Sequence, residues 1–226
     1  MSSLLQEKAR HGCRRAGQWP VQLRFACEHT GEEYVSQQAW QSASLPCCPL
    51  HPQGGCGFAR HGTYKRVSPP GTLITRWSCR KGHCTFSLLP DCLAARLSGT
   101  LAEVEAVVRA VEQAPSVEAA CGELRLDIEL PGALRWISRR VHRVHASLNL
   151  LKGLLPEAFT HCPPRLAAFA EHLGLAEVLV GLRQIAAVFL HRLPAPLGFV
   201  PRRNAGRGRD RADQQRVGAD PPAHLA

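Results

Sequence analysis

The chain predicts an α+β fold: a small β module built around paired cysteines, a mainly helical region after it, and a disordered tail. Three observations carry this reading. Cys48 and Cys56, then Cys79 and Cys84, form two cysteine pairs with strand-like segments between them. Apolar residues recur at helical spacing from Thr100 onward. After Arg202 the composition collapses to Arg, Asp, Gln, Gly and Pro, which bury too little apolar surface to order a chain. The expected parts are 1–44, an N-terminal segment with a small β hairpin; 45–90, the cysteine module; 98–148, a helix-turn-helix-like region; 149–200, C-terminal helices; and 201–226, a basic tail.

Composition narrows the classes. Apolar residues make up 45% of the 226, enough for a core, and the net charge of +10 is high for this size. An Arg-dominated excess favours phosphate-bearing partners. Ten cysteines would suit a secreted disulfide framework. The opening residues 1–8 hold no apolar export segment, so the chain reads as cytoplasmic, with metal-ligating cysteines. The most apolar stretch, 175–190, contains Glu177, Arg183 and Gln184, so it is expected to pack as a helix rather than cross a membrane.

Residues 21–34 alternate roughly in polarity. Leu23, Phe25 and Cys27 share one phase, and His29-Thr30-Gly31-Glu32 reads as a hairpin turn. His11, Cys13, Cys27 and His29 could form a second metal site, although their spacings match no ribbon knuckle.

The cysteine module follows. Residues 57–67 read as a strand carrying Phe58 and Tyr64, Pro69-Pro70-Gly71 as a turn, 73–77 as a returning strand, and 85–89 as a third. Two cysteine loops framing such strands are the layout of a zinc ribbon, in which four soft ligands meet one Zn2+. A closed set of four leaves no position for substrate. The predicted ligands are Cys48, Cys56, Cys79 and Cys84, with His51 and His83 as alternates inside the loops and Cys47 beside Cys48. Arg60, His61, Lys65, Arg66, Arg76, Arg80 and Lys81 crowd the same module.

Helices begin at Thr100, where Thr100 and Glu103 fit a capping box. Pro115 ends the first helix, Ser116 caps a short second one over 117–124, and a linker over 125–132 leads to a third. On that helix Leu134, Ile137, Val141, Val144 and Leu148 form an apolar stripe. Arg135, Arg139 and Arg143 form a row about 180° away. Trp136, Arg140 and His142 flank the row. Stacked like charges repel, and an anionic partner would relieve them. A helix, a short helix and an Arg-rich helix are the parts of a helix-turn-helix, whose last element enters the major groove of DNA. Residues 150–155, 164–173 and 175–193 continue as helices suited to a bundle or a homodimer surface.

The chain resembles a family of uncharacterised bacterial proteins associated with mobile elements, in which a transposase-type zinc ribbon precedes a helix-turn-helix. The residues that carry the resemblance are Arg60 to Arg66, Cys84 to Pro90 and Gly132 to Arg140, within positions 46–145. The family's knuckles run Cys-Pro-x-Cys and Cys-x-x-Cys. Here His51 takes the last place of the first, Cys56-Gly57 matches the Cys-Gly that usually ends it, and His83 and Cys84 compete in the second. The resemblance implies nucleic-acid binding linked to transposition and assigns no reaction.

The expected function is therefore zinc-dependent DNA binding, accessory or regulatory to a mobile element and non-catalytic. Arg60, Lys65, Arg66, Arg135, Trp136, Arg139, Arg140 and Arg143 are its candidate contacts. A small-molecule substrate is not expected. One alternative is a zinc-stabilised protein-interaction module with a dimerising helical half. Another is a fragment of a catalytic transposase. That chemistry needs carboxylates holding two metal ions, and Asp91, Asp127 and Glu129 show no strand-borne arrangement that would gather them.

Overall fold

The computed structural model describes residues 21–124 and 129–200. The expected tail, His11, Cys13 and Asp127 lie outside these residues. Four strands form one mixed sheet: β1 (Val21–Phe25), β2 (Ala59–Lys65), β3 (Leu73–Cys79) and β4 (Cys84–Pro90), in the order β1-β4-β3-β2. β2, β3 and β4 are antiparallel neighbours, while β1 joins β4 in parallel, with Val21 opposite Phe86 and Phe25 opposite Pro90. The three strands of the cysteine module form as expected. Gly71, at φ +80°, makes the turn after the two prolines, where the Thr72 N–H donates to Pro69 at 3.2 Å.

Among the described residues, the hairpin expected over 21–34 does not form. After β1 the chain enters helix α1 (Gly31–Ser36) instead of returning as a strand. The physical reason is a capping box. The Thr30 hydroxyl accepts from the Glu33 N–H at 3.2 Å, and the Glu33 carboxylate accepts from the Thr30 N–H at 2.8 Å. Residues that suit a turn therefore start a helix, and β1 finds its partner in β4, far along the chain.

Helices α2 (Leu101–Gln113) and α3 (Val117–Leu124) match the expected bounds, and Thr100 and Glu103 make the anticipated capping box. Helix α4 (Leu130–Leu154) starts earlier and runs longer than the stripe suggests, absorbing the expected helix over 150–155. Pro131 sits in its first turn, where the missing N–H has no helical partner to lose. Short α5 (Pro156–Phe159), α6 (Leu166–Leu173) and α7 (Val178–Ile185) complete the helices, and the apolar stretch past Ile185 breaks into turns instead of staying helical. Among the described residues, no helix is long and apolar enough to cross a membrane.

One part of the sheet shares the main core with the helices, while the cysteine loops pack in a smaller core of their own. Ile74 and Leu89 from the sheet pack with Tyr34, Leu101, Val104 and Val108, with Val144 and Leu148, and with Phe169, Leu179 and Leu182. Arg183 on α7 is fully buried. Its guanidinium donates to the carbonyls of Pro90, Asp91 and Leu93 at 3.1, 3.0 and 2.6 Å, and to those of Pro196 and Leu197 at 2.6 and 3.0 Å.

Two carboxylates on α2 cap other helices. Glu105 accepts from the N–H groups of Val178 and Leu179 at 3.1 and 2.8 Å, at the start of α7. Glu112 accepts from Leu166 and Ala167 at 2.8 and 3.1 Å, at the start of α6, and pairs with His145 at 3.0 Å. Both use the positive end of a helix dipole.

Burial would raise the Glu112 pKa, but the Leu166 and Ala167 N–H groups and His145 outweigh it and hold the carboxyl below its ordinary 4.5. A depressed carboxylate stabilises the fold above its unfolded pKa, and that stabilisation is lost as pH falls through the folded value. Glu112→Gln should therefore cost about 1–2 kcal/mol at pH 7 in chemical denaturation. The gap to the parent should close as pH drops below 4.5. A gap that stays constant with pH would contradict the capping role.

Candidate metal centre

The first loop turns at Cys48-Pro49-Leu50-His51. The Leu50 and His51 N–H groups point to the Cys48 sulfur, and the His51 N–H donates to the Cys48 carbonyl at 3.1 Å. The chain then bends through Gly54 and Gly55, both at positive φ, and delivers Cys56 back beside His51. On the other side β3 ends at Cys79, whose sulfur accepts from the Gly82 N–H at 3.2 Å. The Lys81 N–H donates to the Cys56 carbonyl at 3.2 Å and ties the two loops together.

The backbone is crowded where they meet. A Cβ on Gly82 would stand 2.7 Å from Leu50 Cδ1 and 3.2 Å from Cys79 Sγ. Gly57 adopts φ +65°, a left-handed conformation that leads the chain out of the first loop against Arg80.

Cys48, His51, Cys56 and Cys79 thus bring their ligand atoms within 4.8 Å of one another. His51 Nδ1 lies 3.3 Å from Cys79 Sγ and 3.7 Å from Cys48 Sγ. Ligands at the edges of a tetrahedron around one metal ion stand about 3.5–3.8 Å apart, given metal–sulfur and metal–nitrogen bonds of about 2.3 and 2.0 Å. The residues present can therefore hold a metal ion. Three of the four are buried, and His51 is half-buried. Burial, together with hydrogen bonds that the Cys48 thiol donates to the Cys79 and Cys56 sulfurs, pushes it up to about 12 against the pull of the Leu50 and His51 N–H groups. A bound cation would reverse this, because metals take thiolates and expel their protons. Phe86, Leu50, Phe58 and Trp77 pack around the cluster, with Phe58 stacked on Trp77 at 5.2 Å.

The two histidines and the two cysteine pairs sort differently from the expectation. His51 joins Cys56 instead of replacing it. Cys84 stands opposite Cys79 in the β3–β4 register and is buried in the same small core, but its sulfur is engaged in a disulfide, so it is not one of the four. His83 is exposed at the tip of the β3–β4 turn, at φ +46°, and Cys47 is exposed and free. The signal for His51 is present in the sequence, as the last place of a Cys-Pro-x-Cys-like knuckle.

The basic candidates also divide. Lys65, Arg135 and Arg139 are exposed, and so are Arg80 and Lys81 on the second loop. Arg60 is exposed overall, yet its guanidinium donates to the carbonyls of Trp40 and Gln41 at 3.0 and 3.2 Å. Arg66 is half-buried and holds the carbonyls of Ala94 and Leu97 at 3.1 and 2.6 Å. Arg140 is buried, 3.6 Å above the Trp136 ring, and Arg143 is half-buried, donating to Arg96 at 3.5 Å. The buried face of α4, through Ala133, Ile137, Arg140, Val144, Ser147 and Leu151, is turned by about 50° from the apolar stripe toward Arg140. Arg140 and Trp136 are thereby drawn toward internal contacts, as Arg66 is by its own carbonyl partners.

Comparison of the chain with protein families, with curated proteins and with solved structures finds no match.

The geometry predicts one metal ion per chain in elemental analysis of the purified protein. His51→Ala or Cys79→Ser should lose it, and Cys84→Ser should keep it. A Cys84→Ser protein without metal, beside a His51→Ala protein that retains it, would replace this ligand set with the all-cysteine one.

Proposed function

We propose that the protein is a zinc-stabilised, non-catalytic DNA-binding protein whose basic face is the β2 edge together with the second metal loop. The observation that carries this reading is the one-signed charge of the module. From Tyr34 to Pro90 there is no Asp or Glu, while Arg60, Lys65, Arg66, Arg76, Arg80 and Lys81 fall within it. With Arg66 turned inward, the exposed Lys65, Arg80 and Lys81 face solvent without a nearby carboxylate from their own segment. Such a surface favours a polyanion. Three thiolates and one imidazole in a closed tetrahedral set favour zinc in a structural role. The metal fixes the loop that displays Arg80 and Lys81. Arg135 and Arg139, exposed on the first half of α4, supply a second contact, at the end that recognition helices present to base edges. An accessory or regulatory role in a mobile element rests on the sequence resemblance alone.

A gel-shift titration of duplex DNA against salt tests the proposal. Parent binding should fall steeply with salt. Arg80→Ala/Lys81→Ala should reduce the slope of log affinity on log salt by about 0.9 for each phosphate that the variant no longer neutralises. Arg135→Ala/Arg139→Ala should act likewise, leaving the apolar face of α4 intact. A parent protein that shows no shift at about 50 mM salt, or whose binding ignores salt, would overturn the DNA reading and favour a protein partner.

A further inference from the structure

A second group of sulfur and nitrogen atoms lies at the other end of the sheet, away from the metal loops. β1 and β4 end side by side, Phe25 opposite Pro90, and two residues beyond each end stands a cysteine: Cys27 and Cys92. Both thiols are free, and Cys27 packs against the core cluster that contains Cys92.

Two arginines tie the strand ends around them. Arg24 Nε and an Nη donate to the two Asp91 oxygens at 2.7 and 2.6 Å, which clamps the strand ends together. Arg183 holds the carbonyls of Pro90, Asp91 and Leu93, on both sides of Cys92. Cys92 is 6% exposed, whereas Cys27 is half-exposed. His29 stands two residues from Cys27, just before the Thr30 cap. Its Nε2 lies 2.9 Å from Gln37 Oε1. A proton on Nε2, donated to that amide oxygen, leaves Nδ1 as the basic nitrogen. Nδ1 is buried and makes no close hydrogen bond, and the same ring interacts with the Cys27 thiol.

We propose that Cys27 and Cys92 are a peroxide-sensitive redox pair, in which Cys27 is the attacking thiolate, His29 its proton acceptor and Cys92 the resolving thiol. The oxidant is hydrogen peroxide or an alkyl hydroperoxide. With hydrogen peroxide, the Cys27 sulfur attacks one peroxide oxygen, the S–O bond forms, the O–O bond breaks, and the departing hydroxide takes the proton from His29 as water. Cys27 is then a sulfenic acid, oxidised by two electrons. Cys92 attacks that sulfur, the S–S bond forms, the S–O bond breaks, and a second water leaves with the Cys92 proton. In sum, two thiols and one hydrogen peroxide give a disulfide and two waters; an alkyl hydroperoxide gives an alcohol in place of the first water.

The electrostatics agree with these roles. The Cys92 hydrogen bond, with smaller contributions from the Asp91 N–H and His29, holds Cys27 down to about 6 against burial. The Cys27 hydrogen bond and burial push Cys92 up. The two sulfurs are shifted in opposite directions, Cys27 down and Cys92 up, the asymmetry such a pair needs. The inference is independent of the DNA reading, because it uses none of the same residues.

The test is peptide mapping of the full-length, metal-loaded protein after stoichiometric hydrogen peroxide, with remaining thiols blocked before digestion. The expected result is a Cys27–Cys92 linked peptide as the major oxidation product, reversed by dithiothreitol, with the metal retained. Cys92→Ser should instead leave a Cys27 sulfenic acid that dimedone traps, and Cys27→Ser should abolish both products. If peroxide modifies the metal-site cysteines or Cys47 while Cys27 and Cys92 stay separately alkylatable, the proposal fails. If Cys27 is oxidised in the parent without ever linking to Cys92, the resolving role fails. The parent map decides both points even if a variant does not fold.

Discussion

The structure depends on one buried cation. Arg183 stands on α7 with no solvent contact, yet five carbonyl oxygens accept from its guanidinium. Burial lowers its pKa to about 10, a shift the nearby Asp91 carboxylate opposes, so the group stays charged at neutral pH. An unpaired buried charge would cost several kcal/mol. Here the carbonyl dipoles and Asp91, itself held by Arg24, replace the lost water. The carbonyls belong to the end of β4, the turn after it, and the segment at 196–197. One side chain therefore joins the sheet, the helices and the end of the described chain.

That junction governs how the functional parts relate. β4 is a central strand and is nearly all buried. Phe86, near its start, packs in the small core around the metal loops, whereas Leu89, near its end, packs in the main core. The metal cluster thus sits on a sheet whose far end is fixed by helices. A metal held there would act locally: it would set two loops and the cations they carry. At the opposite end, the Arg24–Asp91 and Arg183 contacts position Cys27 and Cys92 without any metal. The two groups of cysteines are chemically separate, one enclosed among four ligands and one paired beside a histidine.

What the sequence reveals is what short-range physics decides. Strands β2 to β4, the Thr100–Glu103 capping box, the bounds of α2 and α3, and three of the four candidate ligands follow from spacing and local chemistry. The errors arise where distant partners decide. His29 to Glu32 read as a hairpin turn because the capping box and the turn use the same residue types; β4, distant in sequence, selects the parallel pairing of β1. By periodicity Arg140 flanks the Arg row, but its position lies near the edge of the apolar face, and packing turns that face toward it. Arg183 reads as a charge interrupting an apolar run, and nothing local shows that five carbonyls meet it. Glu105 and Glu112 give no signal as caps, because the helices they cap come much later in the chain.

If the sheet and helices fold as one cooperative body, a metal bound at the cluster orders only the loops at its edge. Native-state hydrogen exchange with and without a chelator tests it directly. Amides of Ile74, Leu88 and Leu89 should exchange as slowly as those of α2 and α4 in both conditions, while only the loops around Cys48 to Gly57 and Arg80 to His83 lose protection on chelation. If chelation instead exposes the β3 and β4 amides while α2 and α4 stay protected, the cysteine module folds separately and the account is wrong.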